Sequence, residues 1–596
     1  MLFTDKAAVK RIPLPGHGGP VQILLHDQQD VVTSVGQTHL KFYNFKNPDK
    51  AVEKKVQWKE CTNSDCNYNI TLVHQRKRAD QVFVCGTNGI ETSCCNMTLS
   101  EQSPMCMPSN KMREITEGIK MFQIKEGEQY VLVESEQNAD LYVTYSGSNE
   151  HVGIHKFGLN GVRPTQHGRE EYYVGLVASR RENGQGRVYA FYRQKNEDPA
   201  LCSEMWLPFV AQVCMSDMGG PKTNLQFSWT SRLNAKLFCG DTGSKQHFSE
   251  LVDVSTVHAE RWEDTTVYAL FRNEWGISAV CVYTIRDINN IFETSSFKGS
   301  QKNRNRECVA DSRKIPSDTL AMIQETSEME RRVQPKHNSA PMIFKHHYTH
   351  IEVDSVSSQH TVMFLSLNNG KVHKVMQNES HTFVIMEFIP FNDTEHVFNI
   401  KLHPQSRKLY VNSRSELVQL DVGNCAQYGN LCGDCVLSRD PYCSWNGTHC
   451  TRGTQNKEDE MARGDLAACS TKTPSSKAEF RYVRSHPQAD ENVITVPSQS
   501  KYFLQCNMSS RYAKYTWHHG LSSTSCSSRE MQCLFLIDSM GPEHVGTYRC
   551  ESEEMDYRKV LATYRLQLGN RAVGQLSLPV VWLSLMVVLV SSLSCW

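Results

Sequence analysis

The chain lacks an excess of either charge: 64 basic residues stand against 64 acidic ones among its 596. No whole-molecule field draws it onto nucleic acid or an anionic surface, so nucleic-acid binding is disfavoured. It lacks a sustained helical period or heptad, which argues against helical bundles and coiled coils. There is no Gly-x-Ser-x-Gly, no His-Glu-x-x-His and no glycine-rich phosphate loop, so neither catalysis nor a cofactor is expected. The pairs His346-His347 and His518-His519 contain metal-ligating side chains, but adjacent residues on a strand point to opposite faces. The opening stretch, MLFTDKAAVKRIPLPGHGGP, has no apolar run of the length a secretory leader needs. The natural chain is therefore expected to begin further upstream, and N-terminal sequencing tests this.

What is abundant is cysteine, with 22 residues, and Asn-x-Ser/Thr acceptors beginning at Asn69, Asn96, Asn378, Asn392, Asn446 and Asn507. Together they indicate passage through an oxidising secretory route. Local basic clusters at Lys54-Lys55, Arg76-Lys77-Arg78 and Arg180-Arg181 could meet heparan sulfate, although solvated loops explain each as well.

From Pro579 to Trp596 the chain is uncharged, and its last basic residue, Arg571, precedes that run. As a helix the run would nearly span a bilayer. Small residues at Gly569, Asn570, Ala572 and Gly574, a short spacer and a terminal apolar tail match a glycosylphosphatidylinositol attachment signal over 569–596, with Asn570 as the expected attachment site. Removing the tail takes Cys595 with it and leaves an odd number of cysteines.

Between the ends, Val/Tyr/Phe/Ile-rich runs at Val131 to Glu134, Leu141 to Tyr145, Val188 to Tyr192, Val267 to Phe271, Ala279 to Ile285, Thr361 to Leu367, Leu409 to Val411 and Glu416 to Val422 read as strands. They extend too far for one two-sheet sandwich. Either several β domains are chained, or one array closes on itself as a propeller. Near the C-terminus, Cys506, Trp517 and the Tyr548-x-Cys550 pattern of HVGTYRC describe an immunoglobulin sandwich with a Cys506 to Cys550 bridge, and Cys526 with Cys533 adds a local one. The polar segment 471–485 before it reads as a linker.

Cys425, Cys432, Cys435, Cys443, Cys450 and Cys469 crowd around the turn Arg439-Asp440-Pro441-Tyr442. In an oxidising compartment they count as three bridges, with fifteen possible pairings. So small a module cannot hold itself by apolar burial alone, so covalent closure is expected, with a zinc site as the weaker reading.

The stretch CAQYGNLCGDCVLSRDPYCSW is similar to the plexin-semaphorin-integrin (PSI) module of semaphorins, and RKLYVNSRSELVQLDV before it resembles the last strands of their sema domain. VMFLSLNNGKVHKV, WEDTTVYALFRNEWGISAVCVYTIRDINNIF, VFVCGTNGIETSC and CNYNITLV extend the resemblance toward the N-terminus. It implies a mainly β protein: a seven-bladed propeller over 1–422, a PSI module over 423–470, and an immunoglobulin-like domain of C2 type over 486–568. The glycosylphosphatidylinositol-anchored semaphorin class further implies a propeller homodimer at the extracellular face of the plasma membrane, held by a lipid anchor. A class C plexin and a β1 integrin are the implied partners, with axon growth and immune-cell regulation as settings. Adhesion or co-receptor action in its own cell is the rival reading. The implied bridges are Cys61 with Cys66, Cys85 with Cys94, Cys214 with Cys308 and Cys239 with Cys281, with Cys94 and Cys95 interchangeable. Cys95, Cys106 and Cys202 are left over, and two of them are available to pair.

One departure matters. Where the class carries Arg-Gly-Asp after the cysteine corresponding to Cys214, this chain reads Met215-Ser216-Asp217, so Asp217 alone is left as an integrin candidate. A second tripeptide, Arg463-Gly464-Asp465, is either coincidence or a relocated site. For plexin the resemblance points to loops near the third and fourth blades, around RPTQHGREEYYVG, with Arg169, Glu170 and Tyr172 as candidate contacts. Core packing explains the tyrosines equally well.

Overall fold

The computed structural model describes residues 3–569 except 6–8, 15–21, 26–30, 49–50, 59–67, 77–80, 100–105, 108, 198–204, 242, 244, 301–302, 357–359, 379–380, 393, 454–457, 470–491, 509, 511 and 527–531. It divides into two compact units, one running from Phe3 to Cys469 and the other containing the C-terminal sandwich.

The first unit is built on seven successive antiparallel sheets. Blades 1 to 3 begin at the inner strands Gln22–Leu25, Asn69–Gln75 and Tyr130–Glu134, and blades 4 to 7 at Glu171–Ser179, Glu250–Val257, Tyr348–Ser355 and Asn399–His403. The N-terminal strand Val9–Pro13 pairs antiparallel with Glu416–Asp421 and completes blade 7, tying the chain's start to its last blade. Phe3–Asp5 adds a parallel edge to blade 6. This is a seven-bladed propeller, the array closed on itself.

Apolar clusters fill the seams. Val35 and Leu40 meet Tyr68 and Val73 between blades 1 and 2, and Leu72 and Phe83 meet Leu132 and Leu141 between blades 2 and 3. Tyr142 and Ile154 pack with Tyr173 and Tyr192 between blades 3 and 4. Tyr189 and Phe191 pack with Val267 and Phe271 between blades 4 and 5. Val362 and Phe364 pack with Leu409 and Val411 between blades 6 and 7, and Ile23 and Tyr43 close the ring onto Tyr410 and Leu417. Across the seam between blades 5 and 6, Tyr268 bonds Thr361 at 3.0 Å, and Asp253 accepts the Ile351 amide at 2.9 Å. The inner strands approach closely, since a Cβ on Gly175 of blade 4 would stand 2.1 Å from Val254 of blade 5. Glycine is required there by space.

Each strand read from the sequence falls within an observed strand, except that Val422 lies just beyond Glu416–Asp421 and Ile285 opens a helix, Ile285–Thr294. That helix buries Ile285, Ile288 and Phe292, and Thr284 caps it by accepting the Asp287 amide. It belongs to an insertion, 285–341, between the third strand of blade 5 and its fourth, Met342–Phe344.

The cysteine module has bridges Cys425–Cys443, Cys432–Cys469 and Cys435–Cys450. In the propeller the bridges are Cys85–Cys94, Cys95–Cys106, Cys214–Cys308 and Cys239–Cys281. Cys61, Cys66 and Cys202 lie outside the described residues, as do the linker 471–485, Asn570 and the apolar tail.

In the second unit, Cys506–Cys550 joins the two-stranded sheet of Tyr502–Asn507 and Gln532–Ile537 to the five-stranded sheet containing Gly546–Glu554. Trp517 is buried in the same cluster as the bridge, and the Tyr548 hydroxyl donates to the His544 carbonyl at 3.1 Å, tying down the corner before the strand. Cys526–Cys533 is the additional local bridge.

Candidate recognition surfaces

The turn Arg439-Asp440-Pro441-Tyr442 docks the cysteine module on blades 6 and 7. Lys374 of blade 6, with no exposed side-chain surface, donates to Asp440 Oδ2 at 2.6 Å and to the Val422 carbonyl at 2.8 Å. Tyr428 Oη donates to the same carboxylate oxygen at 2.7 Å, and the Tyr442 amide donates to the other at 3.0 Å. Burial draws the Lys374 ammonium below its ordinary value, and the Asp440 charge opposes the shift. The Tyr442 ring receives Lys374 at 4.0 Å and Arg407 at 4.7 Å, and its hydroxyl reaches Asp354 at 2.5 Å. These polar residues are structural, holding the module as part of the propeller unit.

Arg463-Gly464-Asp465 lies at the end of the helix Glu458–Arg463, whose Ala462 packs on Met376 and Ile385 of blade 6. Arg463 and Asp465 are exposed and Gly464 is buried. Gly464 ends the helix in the left-handed region with φ of 66°, and its Cβ position faces the Arg439 side chain at 3.1 Å. Asp465 accepts the Ala467 amide at 2.9 Å and opens the turn that leads to Cys469. The tripeptide thus has a local folding role.

Asp217 does not fit the role expected of it. The residue is 1% exposed. Its Oδ1 accepts from the Gly219 amide and Thr230 Oγ1, and its Oδ2 from the amides of Thr230 and Ser231 and from Ser231 Oγ. Lys156 fastens the same segment from behind by donating to the carbonyls of Met215 and Asp217. A carboxylate turned inward and occupied by five donors cannot complete a partner's metal shell. The integrin assignment of Asp217 is therefore corrected to a structural one.

At the rim of blade 4, Arg169 is exposed, while Glu170 and Tyr172 are half-buried. Tyr172 Oη donates to Glu170 Oε1 at 2.9 Å, and Lys195 donates to Oε2 at 3.0 Å. Those bonds, from Lys195 and then Tyr172, hold the Glu170 carboxyl below its usual range. Trp206 meets the Tyr172 ring edge-on at 5.5 Å, with Arg193 over both rings. Tyr173 differs: it points into the core and donates to buried Glu171 at 2.5 Å, to which Arg232 also donates.

Among the acceptor asparagines, Asn69, Asn392, Asn446 and Asn507 are exposed, whereas Asn96 and Asn378 are half-buried. The inner strands ring an axial cavity of about 670 Å³ lined by Thr71, Tyr130, Gly175, Ser255, Ile351 and Ile400. In its wall Glu352 pairs with Lys401 at 2.7 Å, and burial pushes the Asp253 carboxyl up to about 7. The histidine pairs are dispersed: His346 meets the His373 ring at 4.9 Å, His518 lies 3.7 Å from Glu551, and His519 stacks on Tyr548 at 4.0 Å. No group of three metal-ligating side chains occurs among the described residues. No helix among them is long and apolar enough to cross a membrane.

Three family models match the chain: the Sema domain over residues 251–404, the plexin repeat (PSI) over 424–470, and the Semaphorin-3/4/7A immunoglobulin-like domain over 488–576. Human Semaphorin-7A is 28% identical over 527 residues, covering 83% of this chain and 74% of that protein. Mouse Semaphorin-4C is 26% identical, covering 86% and 66%. Among solved structures, Drosophila Semaphorin 2a superposes with a TM-score of 0.68 at 16% identity, covering 96% of this chain and 99% of that one. A structure described as Drosophila Plexin A in complex with Semaphorin 1b matches with a TM-score of 0.57 at 20% identity, over 77% and 99%.

Proposed function

Because the chain belongs to the semaphorin family, we propose that it is a cell-surface ligand whose propeller binds a class C plexin on neighbouring cells. Through that receptor it controls axon growth, cell migration and adhesion, and immune-cell activation. The observation that carries this reading is the order of its modules, sema, PSI and immunoglobulin-like, in a chain alignable over most of its length with Semaphorin-7A.

The plexin contact in this reading includes Arg169 and Tyr172 at the blade 4 rim, an exposed cation and a half-buried aromatic, residue types that anchor interfaces. Propellers pair as a homodimer. A lipid anchor at Asn570 holds the protein on the extracellular face of the plasma membrane, and the acceptor asparagines carry glycans. The decisive experiment is capture of purified class C plexin ectodomain by this protein, with Arg169→Glu and Tyr172→Ala weakening it at least tenfold. Absence of capture by the unaltered protein refutes the reading.

Engagement of a β1 integrin rests on Arg463 and Asp465 alone, both exposed. The folding roles of Gly464 and Asp465 favour the second reading, an adhesion molecule or co-receptor acting in its own cell without integrin binding. Loss of β1-dependent adhesion in Asp465→Ala, with folding intact, supports the integrin contact. A cytoskeletal response confined to the anchored cell supports the second reading.

A further inference from the structure

The two outer faces of the C-terminal sandwich differ. On the five-stranded sheet the outward residues are polar or charged, with His518 opposite Arg549 and Thr516 opposite Glu551. The strands Tyr502–Asn507 and Gln532–Ile537 turn Leu504, Cys506, Cys533 and Ile537 inward, into the cluster of Trp517 and Tyr548. Strand alternation then sends Phe503, Leu534 and Leu536 outward, where they are 56%, 46% and 48% exposed. An antiparallel sheet with one wet face ordinarily keeps polar side chains there. Single exposed apolar residues are commonplace, but these three adjoin: Phe503 pairs with Leu536, and Leu534 is the next outward position, opposite Gln505.

The patch has definite ends. Lys501 and Asp538, an exposed ion pair at 3.0 Å, stand beyond Phe503 and Leu536. At the other end is Asn507, exposed like Phe503 and Gln505 at the alternate positions of one strand. It begins the acceptor Asn507-Met508-Ser509, whose Met508 packs against the core. Gln505 Nε2 donates to Asn507 Oδ1 at 3.3 Å, which ties the amide to the position opposite Leu534 and leaves Nδ2 for attachment. Four residues separate Asn507 from Phe503, about 14 Å of strand, within reach of the first few sugars of an N-linked chain. A second copy of the protein is the poorer occupant, because three half-exposed side chains fall short of the roughly 800 Å² that each partner buries in a standard interface.

We propose that the glycan on Asn507 folds back along these two strands and covers Phe503, Leu534 and Leu536, the C–H faces of its pyranose rings packing on their side chains. The inference rests on the reading that Asn507 is glycosylated: C1 of the first N-acetylglucosamine is bonded to Nδ2, which gives up one hydrogen as the diphosphate of a lipid-linked oligosaccharide donor leaves. The sugar chain is then a structural cover of the sandwich as well as a solubilising group.

The test uses the full chain made in glycosylating cells. Glycopeptide mass spectrometry reads the occupancy of Asn507, and hydroxyl-radical footprinting reads the accessibility of Phe503, Leu534 and Leu536. Ser509→Ala abolishes the acceptor and keeps the patch; it is expected to raise oxidation of the three side chains at least threefold and to increase binding of an apolar-surface dye. Enzymatic removal of the glycan from the folded, unaltered protein is expected to do the same, a readout available even if Ser509→Ala misfolds. Adding Phe503→Thr and Leu534→Thr to Ser509→Ala should return dye binding to the unaltered level. Thr394→Ala, which removes the exposed acceptor at Asn392 of the propeller unit, should leave oxidation of the patch unchanged. An occupied Asn507 with equal oxidation in glycosylated and glycan-free protein overturns the cover alone. Protection that persists without the glycan and accompanies dimer formation assigns the patch to a second copy and likewise overturns it. An unoccupied Asn507 overturns this inference together with glycosylation at that residue.

Discussion

Replacing Lys374 by methionine keeps most of the side-chain volume and removes one charge from a pair whose members are 0% and 1% exposed. The Asp440 carboxylate would then keep two neutral donors, the Tyr428 hydroxyl and the Tyr442 amide. Removing one member of a buried pair strands the other charge and costs about 3–5 kcal/mol, whereas apolar or neutral replacement of both is far milder. Asp440→Asn strands the ammonium instead, with the Val422 carbonyl as its remaining acceptor. The double variant Lys374→Met/Asp440→Asn should therefore cost less than the sum of the singles by about 1–3 kcal/mol. Amide hydrogen exchange over residues 428–443 is the appropriate assay, because a local opening can be read without assuming that the whole propeller unfolds in one step. A loss below about 1 kcal/mol for Lys374→Met, or strict additivity in the cycle, would refute the claim that this pair locks the module to blades 6 and 7.

Asp217→Ala should orphan several buried donors and cost on the order of 3 kcal/mol, read as a lower urea midpoint, while leaving integrin adhesion per folded molecule unchanged. Gly464→Ala should cost about 1–2 kcal/mol, because φ of 66° is unfavourable for a residue with a Cβ and the Arg439 side chain must also yield; an unchanged exchange rate around Cys469 would contradict it. His155 is buried against Phe122, donates to the His151 carbonyl at 2.7 Å and is pushed down to about 4, chiefly by burial. Its folded value lies below its unfolded one, so its contribution is complete above about pH 6.5 and is lost as the pH falls toward 4, by on the order of 2 kcal/mol at pH 5. His155→Phe should flatten the stability profile over that interval. Glu387, bonded to His373 and Lys371, is held down at about 2; its contribution is present above about pH 4.5 and fades toward pH 2, and Glu387→Gln should remove that acid-dependent component of urea stability.

The sandwich was legible because few residues define it, each by strict geometry. A bridge needs Cys506 and Cys550 at a fixed separation, Trp517 fills the space beside them, and Tyr548 needs a carbonyl within reach. The propeller's repeat was hidden for two physical reasons. Its central strands are covered on both faces, so Ser278–Thr284 is buried at every position and Val372–Gln377 at all but the last, which erases the two-residue alternation. Blade 5 also receives its fourth strand only after the insertion, which breaks any regular spacing. The capped helix Ile285–Thr294 was too short to stand out as a period against its strand-rich surroundings.

The candidate sites show where residue type fails as a guide. Asp217 and Asp440 are both acids close to bridged cysteines, and both face inward, Asp217 answered by donors from the strand-leading segment Thr230-Ser231 and Asp440 by Lys374 of blade 6. Arg304 and Arg306 sit in an unremarkable polar run, yet folding leaves Arg304's terminal nitrogens and Arg306's Nε buried without partners. A charge becomes a recognition element only if the fold exposes it or leaves it unanswered, and that depends on long-range contacts no local motif encodes. By this criterion Asp217 belongs to the scaffold, while Arg169, exposed at the blade 4 rim, is open to a partner. Arg169→Glu reverses the charge of an exposed side chain, so it should weaken plexin capture and leave the unfolding temperature unchanged. Unchanged capture by the folded variant would remove Arg169 from the contact.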